Sequence, residues 1–339
     1  MEGRLDVTAG ASGGAPPLRV DPVAIAAAAG LLVYPLVASP FFTYQVGAYS
    51  LILGSIALSL TVLAGYGGMV SLAQMSVAGV AGYMVAILGE NSAGLGLGWP
   101  WWIAVPLALV IGILSSVGVG LLAIRTAGIY TIMITLAIGM AFYLFAQQNY
   151  AIFNGHSGFA GIAPPILFGI SWRNPLPFYY LALAVAALSY AAVVYATRST
   201  FGLSLQAIRD NPRRMRALGF DVEAHRVAAY AGAGLIAALA GVLLVWFDGR
   251  ISPGTIGVDR LIDVLVIAIV GGIRRPAGAF IGAIFFVLLS TFATDIVGAQ
   301  RFNTLIGILF LAIVLFSPDG LLGLWEKARR ALSMQGSGP

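Results

Sequence analysis

Long runs of apolar residues, separated by short polar segments, dominate the pattern of hydrophobic and polar positions along the chain. A membrane-spanning helix needs about 20 mostly apolar residues, and fewer where the segment is broken or enclosed by neighbours. The pattern predicts ten spans, with eight to eleven compatible with it; the third has several polar residues near its start, and the eighth is short. The predicted spans are 23–39, 46–64, 69–88, 100–124, 129–148, 177–197, 228–247, 261–273, 276–294 and 302–317.

The composition supports an all-α polytopic membrane protein. Hydrophobic residues make up 60% of the chain and charged residues 9%, with a mean hydropathy of +0.95. A soluble domain carries about 25% charged residues, because water must solvate its surface, whereas a lipid-facing exterior removes that requirement. Cysteine is absent, which excludes disulfides and thiolate metal sites, and two widely separated histidines argue against a His-rich metal site.

Basic residues predict the orientation of the chain. With the N-terminus in the cytoplasm and ten spans, 14 Arg and Lys residues fall in cytoplasmic segments and four outside. The positive-inside rule therefore places both termini in the cytoplasm, and the basic bias indicates orientation rather than nucleic-acid binding. We expect a disordered tail over 1–22, one transmembrane domain over 23–317 that includes a cytoplasmic loop at 198–226, and a cytoplasmic tail over 318–339. The first span would act as an uncleaved insertion signal.

The long cytoplasmic loop contains start and stop signals for one short helix. Asp210 or Asn211 can cap a helix whose first residue is Pro212. Gly219 lies where a left-handed C-terminal stop would fall. These signals predict a helix from Pro212 to Leu218.

This short helix has a basic face and an apolar stripe. Met215 and Leu218 supply the stripe, and the basic face consists of Arg213, Arg214 and Arg216. A capped helix that protrudes from the cytoplasmic face can dock into a groove of a soluble partner. The alternative is a basic loop that the orientation rule keeps inside and that contacts anionic lipid. The cap signals favour docking.

A few polar side chains within the predicted spans are candidates for a substrate path. Asp263 is the only acid inside a predicted span; it lies near the outer start of its segment and could pair with Arg260, so a structural role is favoured over a functional one. Ser71, Gln74 and Ser76 could line a polar path or could hydrogen-bond to neighbouring helices.

Two motifs of energy-converting and hydrolytic chains, GxxxxGK[ST] and HExxH, are absent from the sequence, so it supplies neither a P-loop nor that metal-dependent hydrolase site. A GxSxG match, GASGG at 10–14, lies in the predicted tail and not between a strand and a helix, so it does not indicate a hydrolase nucleophile. We therefore expect no catalytic residues, and any ATPase must be another chain. A secondary carrier or channel is the rival class, and it predicts more than one titratable residue in the spans. A membrane-embedded enzyme would need an acid/base or metal constellation, which the sequence lacks.

Several sequence blocks over about residues 45–325 occur in a fixed order. The main block is FGLSLQAIRDNPRRMRALGFDV followed by AAYAGAGLIAALAGVLL. The others, in chain order, are GYGGMVSLAQMSVAGVAGYMVAIL, LAIRTAGIYTIMITLAIG, NGHSGFAGI, ISPGTIGVDRLIDVLVIAIVGGIRRPAGAFIGA and FSPDGLLGL. In sequence and order these blocks resemble branched-chain amino acid ABC transporter permeases of the LivM type. Together with the topology, their order is far more specific than any single Gly-rich segment.

The resemblance implies a vitamin B12-type (type II) importer fold in a bacterial cytoplasmic (inner) membrane. Its partners would be a second, LivH-like permease, two ATPase subunits that hold ATP-Mg, and a periplasmic solute-binding protein. This chain itself would bind no cofactor and no metal. Asp263 falls where the family commonly carries Glu, and the coupling residues that the resemblance and the loop together indicate are Arg209, Asp210, Pro212, Arg213, Arg214 and Gly219.

The function that follows is a permease subunit of an ATP-driven importer for branched-chain or related amino acids. Outside loops 149–176 and 248–260 would receive the binding protein, and motion of the short helix would alternate access to a path near the midplane. Urea and short-chain amides stay open as substrates, because their importers use very similar permeases. Ser71, Gln74 and Asp263 are the candidate path residues.

Overall fold

The computed structural model describes residues 22–297, apart from 95 and 168, and a few helical residues beyond them. Those further residues are 304, 306–308, 310, 311, 315 and 320–323. The tail predicted at 1–22 lies almost entirely outside the described residues. Most of the last predicted span, 302–317, and of the tail predicted at 318–339 lies outside them as well.

Helices form most of the described chain, because its apolar runs satisfy their backbone groups within each helix. The α-helices are α1 Pro22–Val37, α2 Tyr49–Thr61, α3 Gln74–Leu88, α4 Trp101–Ala123, α5 Ile129–Gln148, α6 Tyr150–Phe153, α7 Pro175–Arg198, α8 Thr200–Asp210, α9 Pro212–Ala217, α10 Val222–Asp248, α11 Val258–Gly271 and α12 Pro276–Val297. Two-residue strands are β1 Phe159–Ala160, β2 Ile166–Leu167, β3 Ile170–Ser171 and β4 Arg250–Ile251. Short 3₁₀ turns cover Gly155–Ser157 and Pro253–Ile256, and π-helical segments cover Phe42–Ala48 and Val62–Tyr66, directly before and after α2.

Five helices in the described part of the chain are long and apolar enough to cross a membrane. They are Phe42–Tyr66 (α2 with its two π-helical segments), Trp101–Ala123, Ile129–Gln148, Pro175–Arg198 and Val222–Asp248. Gln74–Leu88 and Pro276–Phe292 are shorter apolar helices. The chain is therefore a multi-pass helical membrane protein, while the count of ten spans and the type II fold stay predictions.

Two of these helices form the centre of the bundle and three form its exterior. Within the most apolar 18-residue window, 83% of the Phe42–Tyr66 helix and 67% of α10 are buried, against 28% of α4 and 22% of α5. The outer helices expose large apolar side chains such as Leu188 and Tyr195. Trp101 and Trp102 are exposed at the start of α4, as is typical of aromatic residues at a membrane interface.

Small residues allow the central helices to approach each other closely. A Cβ atom on Gly241 of α10 would collide with the carbonyl oxygen of Ala78 on α3. One on Gly271 of α11 would collide with the carbonyl oxygen of Gly278 on α12. Close backbone approach at small residues is the usual way in which membrane helices pack, because lipid gives no hydrophobic drive for association.

The two ends of the bundle are distinct. At one end, which we call the loop end, Arg209 of α8 contacts Gly65, and Gly65 packs against the carbonyl oxygen of Ile273. At the other, the ladder end, β1 pairs with β4, and Ser92 donates a hydrogen bond to the carbonyl oxygen of Ala160 at 2.8 Å. Arg209 and Gly65 fall in segments predicted on the inside, Ile273 is the last residue of the predicted span 261–273, and the residues of the ladder end fall in segments predicted on the outside. The side of the membrane that each end faces stays a prediction.

Some helix bounds differ from the predicted spans for local reasons. The third helix begins at Gln74 rather than 69, because residues 69–71 have no regular structure and 72–73 form a turn that leads into the helix. The helix predicted at 228–247 begins at Val222, because the Asp221 carboxylate caps it by accepting hydrogen bonds from two backbone amides.

Candidate functional site

The short helix of the loop end forms as its sequence signals predict. Asn211 is the N-cap, and its side-chain oxygen accepts a hydrogen bond from the Arg214 amide at 3.0 Å. Pro212 is the first helical residue, and the helix ends one residue before the predicted bound, with Leu218 as the C-cap. Gly219 has φ 86° and supplies the left-handed stop.

The exposed face of α9 is both basic and apolar. Met215 is buried against Ile208 and Val222, so it anchors the helix to α8 and α10 rather than facing solvent. Leu218, the other residue of the predicted stripe, is 64% exposed. The arginines at 213, 214 and 216 are exposed as well. The surface that α9 and its C-cap present therefore combines three positive charges with the apolar side chains of Ala217 and Leu218.

Arg209 links the loop to the central helix. Its Nη1 donates a hydrogen bond of 2.6 Å to the carbonyl oxygen of Gly65, in the π-helical segment that continues α2. Its Nε and Nη2 atoms are each 2.9 Å from Oδ1 of Asp210. Asp210 is thus the last residue of α8 and a partner of Arg209, not the cap of α9.

A cavity of about 320 Å³ opens near the ladder end. Its floor is apolar and buried, whereas charged side chains line its rim. The floor consists of Leu53, Met75, Leu244, Val264 and Phe286, and the charged residues are Asp248, Arg250, Arg260 and Asp263. Tyr49, Ser252, Gly254 and Thr255 complete the lining. A cavity of this size and character is typical of a small-molecule site.

Only one pair of these charges is joined directly. Arg260 Nη1 lies 3.4 Å from Asp263 Oδ2, which confirms the pairing expected one helical turn apart. Within the described part of the chain, the side chains of Asp248 and Arg250 make no hydrogen bond and no ion pair. The rim therefore holds two positive and two negative charges. Their sum is zero, but only Arg260 and Asp263 are in direct contact.

Aromatic stacking fixes one wall of the cavity. The ring of Tyr49 stacks on Phe247 with centroids 5.1 Å apart, and Tyr44 stacks on the same ring at 4.5 Å. Tyr44 Oη also donates a 2.8 Å hydrogen bond to the carbonyl oxygen of Phe247. These contacts hold the first π-helical segment and the start of α2 against the end of α10.

The structure separates the three path residues predicted from the sequence. Asp263 lines the cavity, but Ser71 and Gln74 are not among the described residues that do. Gln74 is fully buried, and its Oε1 accepts a hydrogen bond from Ser59 Oγ at 3.2 Å. Gln74 of α3 and Ser59 of α2 thus form a hydrogen bond between neighbouring helices, which is one of the two roles expected for Gln74. A role for Ser71 and Gln74 in a substrate path stays a prediction.

The predicted receiving loops, 149–176 and 248–260, are joined in the structure. Phe159 pairs with Ile251 and Ala160 with Arg250 in the β1–β4 ladder. Gly158 has φ 64°, and a Cβ there would collide with the carbonyl oxygen of Ile251. The ladder thus brings Arg250 to the cavity rim from a strand shared with the other loop.

Sequence reasoning missed Tyr49, Asp248 and Arg250 as site residues. Asp248 directly follows the predicted span 228–247, and it shares a cavity with Asp263 because α10 and α11 both pack against α2. That the ends of these two helices line one cavity is information that only the fold provides.

The apolar exterior, the buried central helices and the amphiphilic cavity together define a membrane transport protein. Residues 42–316 match the family described as "Branched-chain amino acid transport system / permease component". The chain belongs to this family.

Relatives with different named substrates align with most of the chain. It is 22% identical over 306 residues (84% of this chain, 70% of the relative) to the high-affinity branched-chain amino acid permease protein LivM of Salmonella typhimurium. It is 27% identical over 287 residues (79% and 90%) to the corresponding permease protein BraD of Pseudomonas aeruginosa. It is also 27% identical over 292 residues (81% and 83%) to the autoinducer 2 import permease LsrD of Klebsiella pneumoniae. No solved structure matches the chain.

Proposed function

We propose that the chain is the permease subunit of an ATP-driven ABC importer for branched-chain or related amino acids in a bacterial inner membrane, with both termini cytoplasmic. The observation that carries this proposal is the capped helix α9, whose basic and apolar surface is joined through Arg209 to the central helix. A soluble ATPase subunit that binds α9 would thereby act on α2. Two such subunits, a second permease and a periplasmic binding protein would complete the importer, and this chain would itself hydrolyse no ATP.

The connection from α9 to the cavity runs through the central helix. Asn211 and Met215 fix α9 to α8 and α10, so the three helices at the loop end move together. Arg209 passes that motion to Gly65, and the continuous helix from Phe42 to Tyr66 carries it toward the ladder end. Tyr49 and Leu53, on the cavity wall, are part of the same helix. Rocking of this helix would open and close the cavity.

The joined outer loops would receive the binding protein. A single surface made of 149–176 and 248–260, fixed by the β1–β4 ladder, lies beside the cavity. Substrate released there would enter the cavity directly. Branched-chain amino acids are favoured because two of the relatives carry that name, whereas the LsrD relative makes autoinducer 2 a second candidate. Urea and short-chain amides stay open as well.

The test is reconstitution of the permease pair with its ATPase subunits and binding protein in proteoliposomes. We compare wild type with the double variant Arg213→Glu/Arg214→Glu, which reverses two exposed charges on α9. The matched control is Arg125→Glu, which reverses an exposed arginine in the turn between α4 and α5, outside α9 and outside both receiving loops. We expect the double variant to lose ATPase assembly and ATP-dependent uptake, and the control to keep both.

Two results would count against this proposal. Unchanged assembly and uptake in the double variant would refute docking at α9. Uptake by wild type without any ATPase chain would instead indicate a secondary carrier. A panel of radiolabelled leucine, autoinducer 2 and urea then assigns the substrate.

A further inference from the structure

The cavity near the ladder end has two chemically different halves. Its floor consists of buried aliphatic, thioether and aromatic side chains, including Leu53 and Val264. Its rim has two carboxylates and two guanidinium groups, of which Arg260 is 50% exposed. A ligand that fits both halves needs an apolar group at one end and both signs of charge at the other.

We propose that this cavity is a binding site for a free α-amino acid, which it holds as a zwitterion with an aliphatic side chain. The ligand carboxylate pairs with Arg250 and Arg260, and its ammonium group pairs with Asp248 and Asp263. The side chain lies against the buried floor. This inference rests on the proposed transport function and adds to it the residues of the permease that recognise the substrate.

The existing contacts leave the charged groups available to a ligand. The distance of 3.4 Å from Arg260 Nη1 to Asp263 Oδ2 exceeds the roughly 2.7–2.9 Å of a strong charge-assisted hydrogen bond. Each partner can therefore exchange this contact for a shorter one to a ligand. Asp248 and Arg250 make no side-chain hydrogen bond or ion pair within the described residues, so a zwitterion would satisfy both without breaking any contact.

The charge balance discriminates between substrate classes. Guanidinium groups bind carboxylates through paired hydrogen bonds, and a carboxylate is the natural partner of an ammonium group. A ligand with a single charge leaves either the two carboxylates or the two guanidinium groups of the rim without a partner. A neutral amide such as urea leaves all four without one. Urea also offers the floor no apolar group, so the apolar half of the cavity would gain nothing from its binding.

The experiment measures binding to the permease–ATPase complex in lipid nanodiscs, without the binding protein, so that only the recognition by the permease is read. The ligands are radiolabelled L-leucine, leucinol (which lacks the carboxylate), isocaproate (which lacks the ammonium group) and urea. The variants are Arg260→Gln and Asp263→Asn. Asp259→Asn is the matched control, because it removes one exposed carboxylate from the same helix outside the cavity lining.

We expect leucine to bind wild type and the control equally, and each cavity variant to bind it roughly tenfold or more weakly. Leucinol, isocaproate and urea should bind wild type at least as weakly as leucine binds the variants. Leucine binding that is absent from wild type, or equal in Asp263→Asn and Asp259→Asn, would overturn the site. So would urea binding as tight as that of leucine.

A parallel measurement separates this inference from the proposed function. ATP-dependent leucine uptake is measured in the complete importer with the same variants. Uptake by wild type that is unchanged in Asp263→Asn refutes the cavity and leaves the transport function standing. Absence of ATP-dependent uptake from wild type refutes the proposed function itself. Assembly with the ATPase, measured for every variant, excludes loss of folding as the cause of weak binding.

Discussion

Replacement of Arg209 by glutamine should uncouple ATP hydrolysis from transport. The variant loses the 2.6 Å hydrogen bond from Nη1 to the carbonyl oxygen of Gly65, which joins α8 to the continuation of α2 beside the apolar packing of Leu63 and Leu205. A hydrogen bond to a charged group contributes about 1.5–3 kcal/mol. The Arg209 side chain is 34% exposed, so water can replace part of the lost hydrogen bond, and we use the lower end of this range. The ion pair with the exposed Asp210 adds little, since such pairs contribute about 0–1 kcal/mol.

A loss of about 1.5 kcal/mol lowers the equilibrium constant between linked and unlinked arrangements roughly tenfold. The assay measures leucine uptake and phosphate release in the same proteoliposomes and takes their ratio. We expect this ratio to fall several-fold in Arg209→Gln while assembly is kept. Arg209→Lys, which retains one charged donor, should recover part of the ratio, and Asp210→Asn should stay near wild type. An unchanged ratio in Arg209→Gln would refute the view that this contact transmits motion.

Three further substitutions test other parts of the structure. Gly241→Ala places a Cβ against the carbonyl oxygen of Ala78, and because such overpacking costs about 1–3 kcal/mol, it should lower the thermal midpoint of the purified protein. Gly118→Ala is the control: the glycine has open space around it, so the midpoint should stay unchanged. Gly158→Ala should separate the two strands of the β1–β4 ladder. Uptake measured with the binding protein should then fall more than uptake measured with the permease and ATPase subunits alone, and equal losses in the two assays would contradict this. Val264→Phe fills the cavity floor and should lower leucine uptake far more than alanine uptake, and a parallel loss of both would argue against the floor as the side-chain site.

Local signals predicted α9 at the loop end but not α8, the helix over Thr200–Asp210 that precedes it. The helix from Pro212 to Ala217 follows from Asn211, Pro212 and Gly219, whose effects act over a few residues and need no tertiary contact. The position of every described long helix follows from apolar runs for the same reason, because lipid demands a continuous apolar segment. Bounds were less accurate where a cap lies in polar sequence, as Asp221 does, since hydropathy registers only the apolar part of a helix.

The cavity and the ladder could not be predicted, because both depend on residues far apart in the chain. Arg250 pairs with Ala160 across 90 positions, and two-residue strands leave no alternating pattern to detect. Tyr49 looks like any aromatic residue within an apolar run until Phe247 packs against it. Asp263 and its partner Arg260 were identified from their spacing, but Asp248 and Arg250 reach the same rim only through tertiary packing.

The β1–β4 ladder also determines how this permease can be recombined with a relative. Strand β4 carries Arg250 at the cavity rim, and the same residue forms the ladder with Ala160 of the other loop. A chimera that takes only 149–176 from a relative would thus pair a foreign β1 with the native β4 and its rim residue. A chimera that takes only 248–260 would pair the native β1 with a foreign β4 and rim. Exchange of both segments together keeps the ladder and the rim matched. A functional chimera therefore requires exchange of both segments together, although two helices of the bundle and the whole loop end lie between them in the chain.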